Sequence, residues 1–148
     1  MIRLSTRVRY ALRAMIELAL HEGTGPLLLR QIAAAQRISP KYLEQLTIPL
    51  RRSGLLQAER GPQGGYELAR PGNEITARDI VEAVEGSLHL LDYVPTPQAC
   101  DRASGCAARV LWGKVGEAIA SVLSETTLAQ LRDQQRAAEE GKVPCYQI

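Results

Sequence analysis

Between Ser39 and Arg70 the chain reads SPKYLEQLTIPLRRSGLLQAERGPQGGYELAR, and few folds admit that order of signals. Ser39 is a helix N-cap, and Pro40 suits the first helical position, where a missing N–H goes unnoticed. Leu43 and Leu46 fall on one face of the helix that follows, with Lys41, Glu44 and Gln45 on another. Arg51 and Arg52 put cations at its negative end, and Ser53-Gly54 offers a left-handed C-cap. Pro49, inside the helix, removes the hydrogen bond to the Gln45 carbonyl and predicts one bent helix rather than two. Two short strands follow, Leu55 to Glu59 and Tyr66 to Ala69, joined by Arg60-Gly61-Pro62-Gln63-Gly64-Gly65.

A polar-faced helix followed at once by a hairpin with an arginine in its tip is the layout of a winged helix, and it points to DNA. Charge supports this more by its distribution than by its sum. Over 148 residues the net charge is only +2, but residues 1–70 carry 11 Lys+Arg against 5 Asp+Glu, whereas residues 71–148 carry 7 against 11. A basic first half fits a polyanion, and an acidic second half fits a part that never touches it. No apolar run approaches the roughly 20 residues that span a bilayer, and MIRLSTRVRY lacks the apolar core of a secretory signal, so no membrane partner and a cytoplasmic location are expected. Enzyme chemistry is not expected either: there is no nucleophile–base pair, and GPQGG lacks the Lys-Ser/Thr ending of a phosphate loop.

The rest of the chain arranges itself around this segment. Val8, Ala11, Leu12, Met15, Leu18 and Ala19 recur at helical spacing and predict a helix from Thr6 to His21. A short helix from Leu29 to Gln36 and the turn Arg37-Ile38-Ser39 complete a helix-turn-helix. Thr76 caps a further helix that Gly86 stops. From 107 to 124, Ala108, Trp112, Val115, Ile119 and Val122 form a narrow apolar seam, and Leu111, Ala118 and Leu123 form a second line. So broad an apolar face asks for a second layer, and a two-fold dimer through Trp112, Val115, Ile119 and Val122 is the economical solution, a central core helix in a monomer being the alternative. Thr127 and Gln130 make a capping box for a last helix ending near Gly141. The expected fold is mainly α with a small β-hairpin wing. It divides into a winged helix-turn-helix domain over 1–86, a cysteine-containing loop over 87–106, and a dimerisation helix with a C-terminal helix over 107–148.

RLSTRVRYALRAMIELA, ISPKYLEQL, RGPQGGYELAR, ITARDIVEAVEG, the cysteine loop before a Trp-containing helix, and TTLAQL together resemble the winged-helix regulator family that includes IscR, NsrR and CymR. The likeness spans almost the whole chain. It implies a homodimeric transcription factor, usually a repressor, that reads a pseudo-palindromic double-stranded operator, with each recognition helix in a major groove and each wing tip in an adjacent minor groove. The residue chemistry agrees. Ser39, Lys41 and Tyr42 stand where helix amides favour phosphate or base contact. Glu44 can accept from a cytosine amino group, Gln45 can pair with an adenine edge, and Arg60, beside the lean Gly61-Pro62 turn, can enter a narrow minor groove. Tyr42 has a competing role in the core, Arg51 and Arg52 read as solvated caps, and Gly64 and Gly65 read as servants of the turn. A winged helix that docks on a protein partner, without sensing, is the alternative function, and a salt titration with duplex DNA separates the two.

Three cysteines in such a chain argue against a disulfide framework. In cluster-binding members of the resembling family, three cysteines at five-residue intervals hold the cluster with a fourth ligand from elsewhere. Aligned on Trp112, Cys100 and Cys106 fit the last two places and Val94 occupies the first. Arg109 and Arg9 stand where that family supplies a fourth ligand, and neither can bind iron. Helices over 107–124 and 128–140 would run about 27 Å out and about 20 Å back, so Cys145 can return to the neighbourhood of Cys106, either as a ligand or in an apolar slot of its own tail. Three readings of Cys100 and Cys106 therefore stand: a 2Fe–2S cluster completed by Cys145, His89 or an acid; a reversible thiol switch; or an inherited loop that senses nothing of the kind. His89 also reads as a surface residue and His21 as structural.

Overall fold

The computed structural model describes residues 5–87 and 105–141. Helix α1 (Thr6–Leu20) opens on Ser5, whose hydroxyl accepts from the Val8 amide at 3.1 Å and donates to the Glu85 carboxylate. Val8, Ala11, Ala14, Met15, Leu18 and Ala19 are its buried face, with Ala14 taking a place that the apolar spacing had given to the half-buried Leu12. Small alanines there let α1 lie close to its neighbours, which packing rewards and periodicity alone does not report.

Helix α2 (Leu29–Gln36) and helix α3 (Pro40–Arg52) have the predicted bounds. Ser39 caps α3 by accepting from the Tyr42 amide, and α3 runs unbroken through Pro49, burying Leu43, Leu46, Thr47 and Leu50. Both helices end in the same hydrogen-bond pattern. After α3, the Gly54 amide donates to Arg51 O and the Leu55 amide to Leu50 O, with Gly54 left-handed at φ +70°. After α2, the Arg37 amide donates to Ala34 O and the Ile38 amide to Ala33 O, with φ +53° at Arg37. Arg37 is the one non-glycine residue with positive φ among the described residues, a conformation that costs a side chain about 1 kcal/mol.

Strands β1 (Leu56–Glu59) and β2 (Gly65–Leu68) pair antiparallel, with Leu56 opposite Leu68 and Glu59 opposite Gly65. A contact absent from the sequence reading anchors them: Leu27 and Tyr66 exchange both main-chain hydrogen bonds, at 2.9 and 2.7 Å. The wing is thus held from two sides, by β1 and by the segment entering α2.

A 3-10 turn (Gly72–Glu74) leads to α4 (Ala77–Glu85), where Thr76 and Asp79 satisfy each other's amides at 3.1 and 2.9 Å. Helix α5 (Ala107–Glu125) follows the undescribed segment, and α6 (Leu128–Glu139) is the last helix among the described residues. The caps of α4 and α6 lie side by side. Thr76 faces Thr127, the Ala77 amide donates to Thr126 O, and the Leu128 amide donates to Ile75 O, both at 2.8 Å. That pairing drops Leu128 into one core with Met15, Ile32, Leu43, Leu50, Leu55, Ile75 and Ile80. Polar links reinforce it: Glu22 accepts from the Gly72 amide and from Arg132, each at 3.0 Å, and Arg136 donates to Leu20 O. Arg132 also hydrogen-bonds Asp133 at 2.9 Å and so holds that carboxyl below its usual range.

Helix α5 has no buried residue. Leu123 packs against the core, whereas Val110, Leu111, Trp112 and Val122 are 60, 57, 37 and 63% exposed. Of the two expected apolar lines, Leu123 of the second touches the bundle, Val115 and Ile119 of the first are half-buried, and Leu111, Trp112 and Val122 face outward. No helix among the described residues is long and apolar enough to cross a membrane.

Candidate nucleic-acid interface

Two elements present the predicted contact residues. On α3, Lys41, Glu44 and Gln45 are exposed and follow directly on the exposed Ser39 cap. Leu43, Leu46 and Leu50 are buried on the opposite side, so the core fixes which face is offered to a groove. The positive end of the helix dipole at this first turn favours an anion there. Ile48, 47% exposed one turn beyond Glu44, lies on the same helix and was not singled out by its sequence context. An exposed isoleucine carries no sequence signal until the backbone shows which face the core has taken.

Tyr42 belongs partly to the interior. Its half-buried ring meets Tyr10 edge-on, with centroids 5.9 Å apart and planes at 79°. Arg9 and Arg13 lie over the face of Tyr10, at 5.2 and 5.6 Å from its centroid. Arg13 also reaches the end of α2, donating to Gln36 O at 2.6 Å and to its side-chain oxygen at 3.0 Å. Gln36 in turn donates to Glu17 at 2.7 Å. His21, bonded through Nδ1 to Glu17 O at 3.0 Å, is structural, as expected. These links brace the helix pair against α1 and leave the first turn of α3 free.

On the wing, Arg60, Gly61 and Pro62 are all exposed at the tip. Gly61 adopts φ +110°, and the Gly64 amide closes the turn on Gly61 O at 3.0 Å. A Cβ on Gly64 would stand 2.3 Å from Glu59 O, so that glycine is required by the tightness of the loop. Arg60 makes no ion pair among the described residues, which leaves its charge available to a partner outside the chain.

For the cysteines, Cys106 is the half-exposed N-cap residue of α5 and its sulfur takes no part in the cap. Cys100, Cys145, His89 and Val94 lie outside the described residues. Among the described residues no three His, Cys, Asp or Glu side chains gather as a metal site. Arg9 is on the exposed side of α1 and Arg109 on the first turn of α5, and a guanidinium does not ligate iron. Among the described residues, Cys106 alone of the candidate ligands is present, and the family's two other ligand places are held by arginines.

The family model described as Rrf2, iron-dependent transcriptional regulator, matches residues 4–134. The transcriptional regulator CymR of Bacillus subtilis is 39% identical over 130 residues, covering 88% of this chain and 89% of that protein. The solved structure of CymR, the global cysteine regulator of B. subtilis, superposes with a TM-score of 0.80 at 39% identity, over 90% of this chain and 98% of that one. The T. potens IscR structure gives 0.74 at 38% identity, over 97 and 93%. These are winged-helix regulators and not enzymes, and the fold agrees with theirs in its helices, hairpin and element order. The chain is a DNA-binding transcriptional regulator of the Rrf2 family.

Proposed function

We propose that the chain is a homodimeric repressor that reads a two-fold operator through the first turn of α3 and the tip of the wing. The observation that carries this reading is the pairing of an exposed polar turn, Ser39 to Gln45, with a hairpin tip whose exposed Arg60 makes no ion pair among the described residues. Glu44 and Gln45 read base edges in the major groove, Ser39, Lys41 and Tyr42 position the helix on phosphates, and Arg60 with Gly61 and Pro62 follows the minor groove. The exposed Val110, Leu111, Trp112 and Val122 support a two-fold mate along α5, joined there by Val115 and Ile119.

Operator release is set at the segment bearing Cys100 and Cys106, read here as thiol chemistry. Cys106 begins the helix that joins the two protomers, so a change at its sulfur acts on the angle between the recognition helices. Half-sites tolerate only a fraction of a helical turn in that spacing. The likeness to IscR favours a second reading, a 2Fe–2S cluster on Cys100 and Cys106 with Cys145, against which the arginines at 9 and 109 speak.

The test is operator binding by fluorescence anisotropy across a salt series. Binding weakens steeply with salt, Arg60→Ala lowers affinity on all AT-rich flanks, and Glu44→Ala relaxes preference at one base pair, worth about 1–3 kcal/mol. Cys100→Ser and Cys106→Ser abolish the response to oxidant, and anaerobically purified protein carries no stoichiometric iron or sulfide. Salt-independent binding overturns the DNA reading; a serine double variant that still responds to oxidant overturns the thiol reading.

A further inference from the structure

The helix ends described above contain an anomaly. The end of α3 uses glycine at its left-handed position, Gly54, and the end of α2 repeats the same pair of main-chain hydrogen bonds with an arginine, Arg37. Glycine or asparagine would hold the φ of +53° there with less strain, so the side chain at 37 stands against the preference of its own backbone. Strain kept at one position directs attention to what the side chain does.

A purely structural use would be to neutralise the carbonyls at the negative end of α2. That use is already filled, because the Arg13 guanidinium donates to Gln36 O at 2.6 Å. The Arg37 guanidinium itself is exposed and makes no hydrogen bond or ion pair among the described residues. Ile38, the next residue, is buried, so the turn is fixed on its inner side and cannot swing.

Position follows from the chain. Arg37 precedes the Ser39 cap by two residues, at the end of α3 that presents Lys41, Glu44 and Gln45. Two residues span at most about 7 Å, and a major groove is about 12 Å wide. With the first turn of α3 in a groove, a long side chain at 37 is within reach of the sugar–phosphate strand that borders it.

We infer that Arg37 is a phosphate clamp of the recognition helix, gripping the backbone strand beside the groove that α3 enters. The inference rests on the DNA reading above and adds a contact that carries no sequence information. The clamp sets register and general affinity, while Glu44 and Gln45 set the choice of bases.

The test compares Arg37→Asn and Arg37→Gly, which both accept the left-handed backbone, with Arg37→Lys, which keeps the charge. Operator and random-sequence duplexes are titrated with each protein over a salt series, alongside thermal unfolding. Asn and Gly variants unfold at the same or a higher temperature than the parent. They bind both duplexes about tenfold more weakly, and the slope of log affinity against log salt is shallower by about one for each protomer bound. The Lys variant keeps the parental slope. Three outcomes overturn the clamp: an unchanged slope in the Asn variant while the parent shows a steep one, a loss confined to the operator, or a fall in unfolding temperature with binding intact. A parent without salt-dependent binding would instead remove the DNA reading on which the clamp depends.

Discussion

Gly65 is where the wing meets the rest of the molecule with no room to spare. A Cβ on it would stand 2.2 Å from the Leu27 carbonyl oxygen and 2.9 Å from the Leu28 nitrogen, and both are backbone atoms that cannot rotate aside. Gly65→Ala is therefore expected to break the Leu27–Tyr66 pair. The loss of two hydrogen bonds, with the strain, costs at least about 2 kcal/mol, measurable as a lower urea midpoint. Operator affinity falls further than stability does, because the tip carrying Arg60 loses its anchor. Sequence alone assigns Gly64 and Gly65 to the turn, and for Gly64 the clash with Glu59 O agrees. For Gly65 the cause is a residue 38 positions earlier, and no local pattern announces a partner at that distance. Arg37 was hidden for the opposite reason. Its left-handed backbone is signalled in most helices by glycine, and here the signal is absent while the geometry persists.

At the level of single elements, caps were legible and faces less so. Ser39-Pro40, Thr76 with Asp79, and Thr127 with Gln130 mark helix starts by short-range chemistry, and each start lies where that chemistry puts it. Helix α5 shows the limit: both of its lines are apolar, so periodicity cannot tell which one turns inward. Leu123 does, and the outward set is left at 37 to 63% exposure. If that set joins two protomers, Leu111→Asp and Val122→Asp convert a dimer to a monomer with unchanged helix content, as read by sedimentation and circular dichroism. Operator affinity then drops on the order of 100-fold, because two half-sites no longer bind as one. A variant that stays dimeric would refute this use of the helix.

For the molecule as a whole, the C-terminal helix is built into the same core as the helix-turn-helix. Leu128 is fully buried and belongs to the same apolar cluster as the core residues of α1, α3 and α4. Leu128→Ala should cost about 2–5 kcal/mol and lower a single unfolding transition. If the helices after residue 105 unfolded separately, circular dichroism and Tyr/Trp fluorescence would report two midpoints. The salt links of Glu22 and Arg132 lie at the rim and add little beside this. The sequence exposed the capping box at Thr127 but not what Leu128 would fill, since one leucine after a cap is an ordinary helix residue until its neighbours arrive.

The seam between Thr76 and Thr127 has a consequence for how such a regulator can change over time. Its two bonds run from the Ala77 and Leu128 amides to the Thr126 and Ile75 carbonyls, so only main-chain atoms take part. Apart from proline at 77 or 128, no exchange of side chains deletes them. The mount of the long helix is therefore blind to the identity of the residues around it. Residues can be exchanged at its far end, Cys106 included, while the helix stays fastened to the helix-turn-helix domain by the same two bonds.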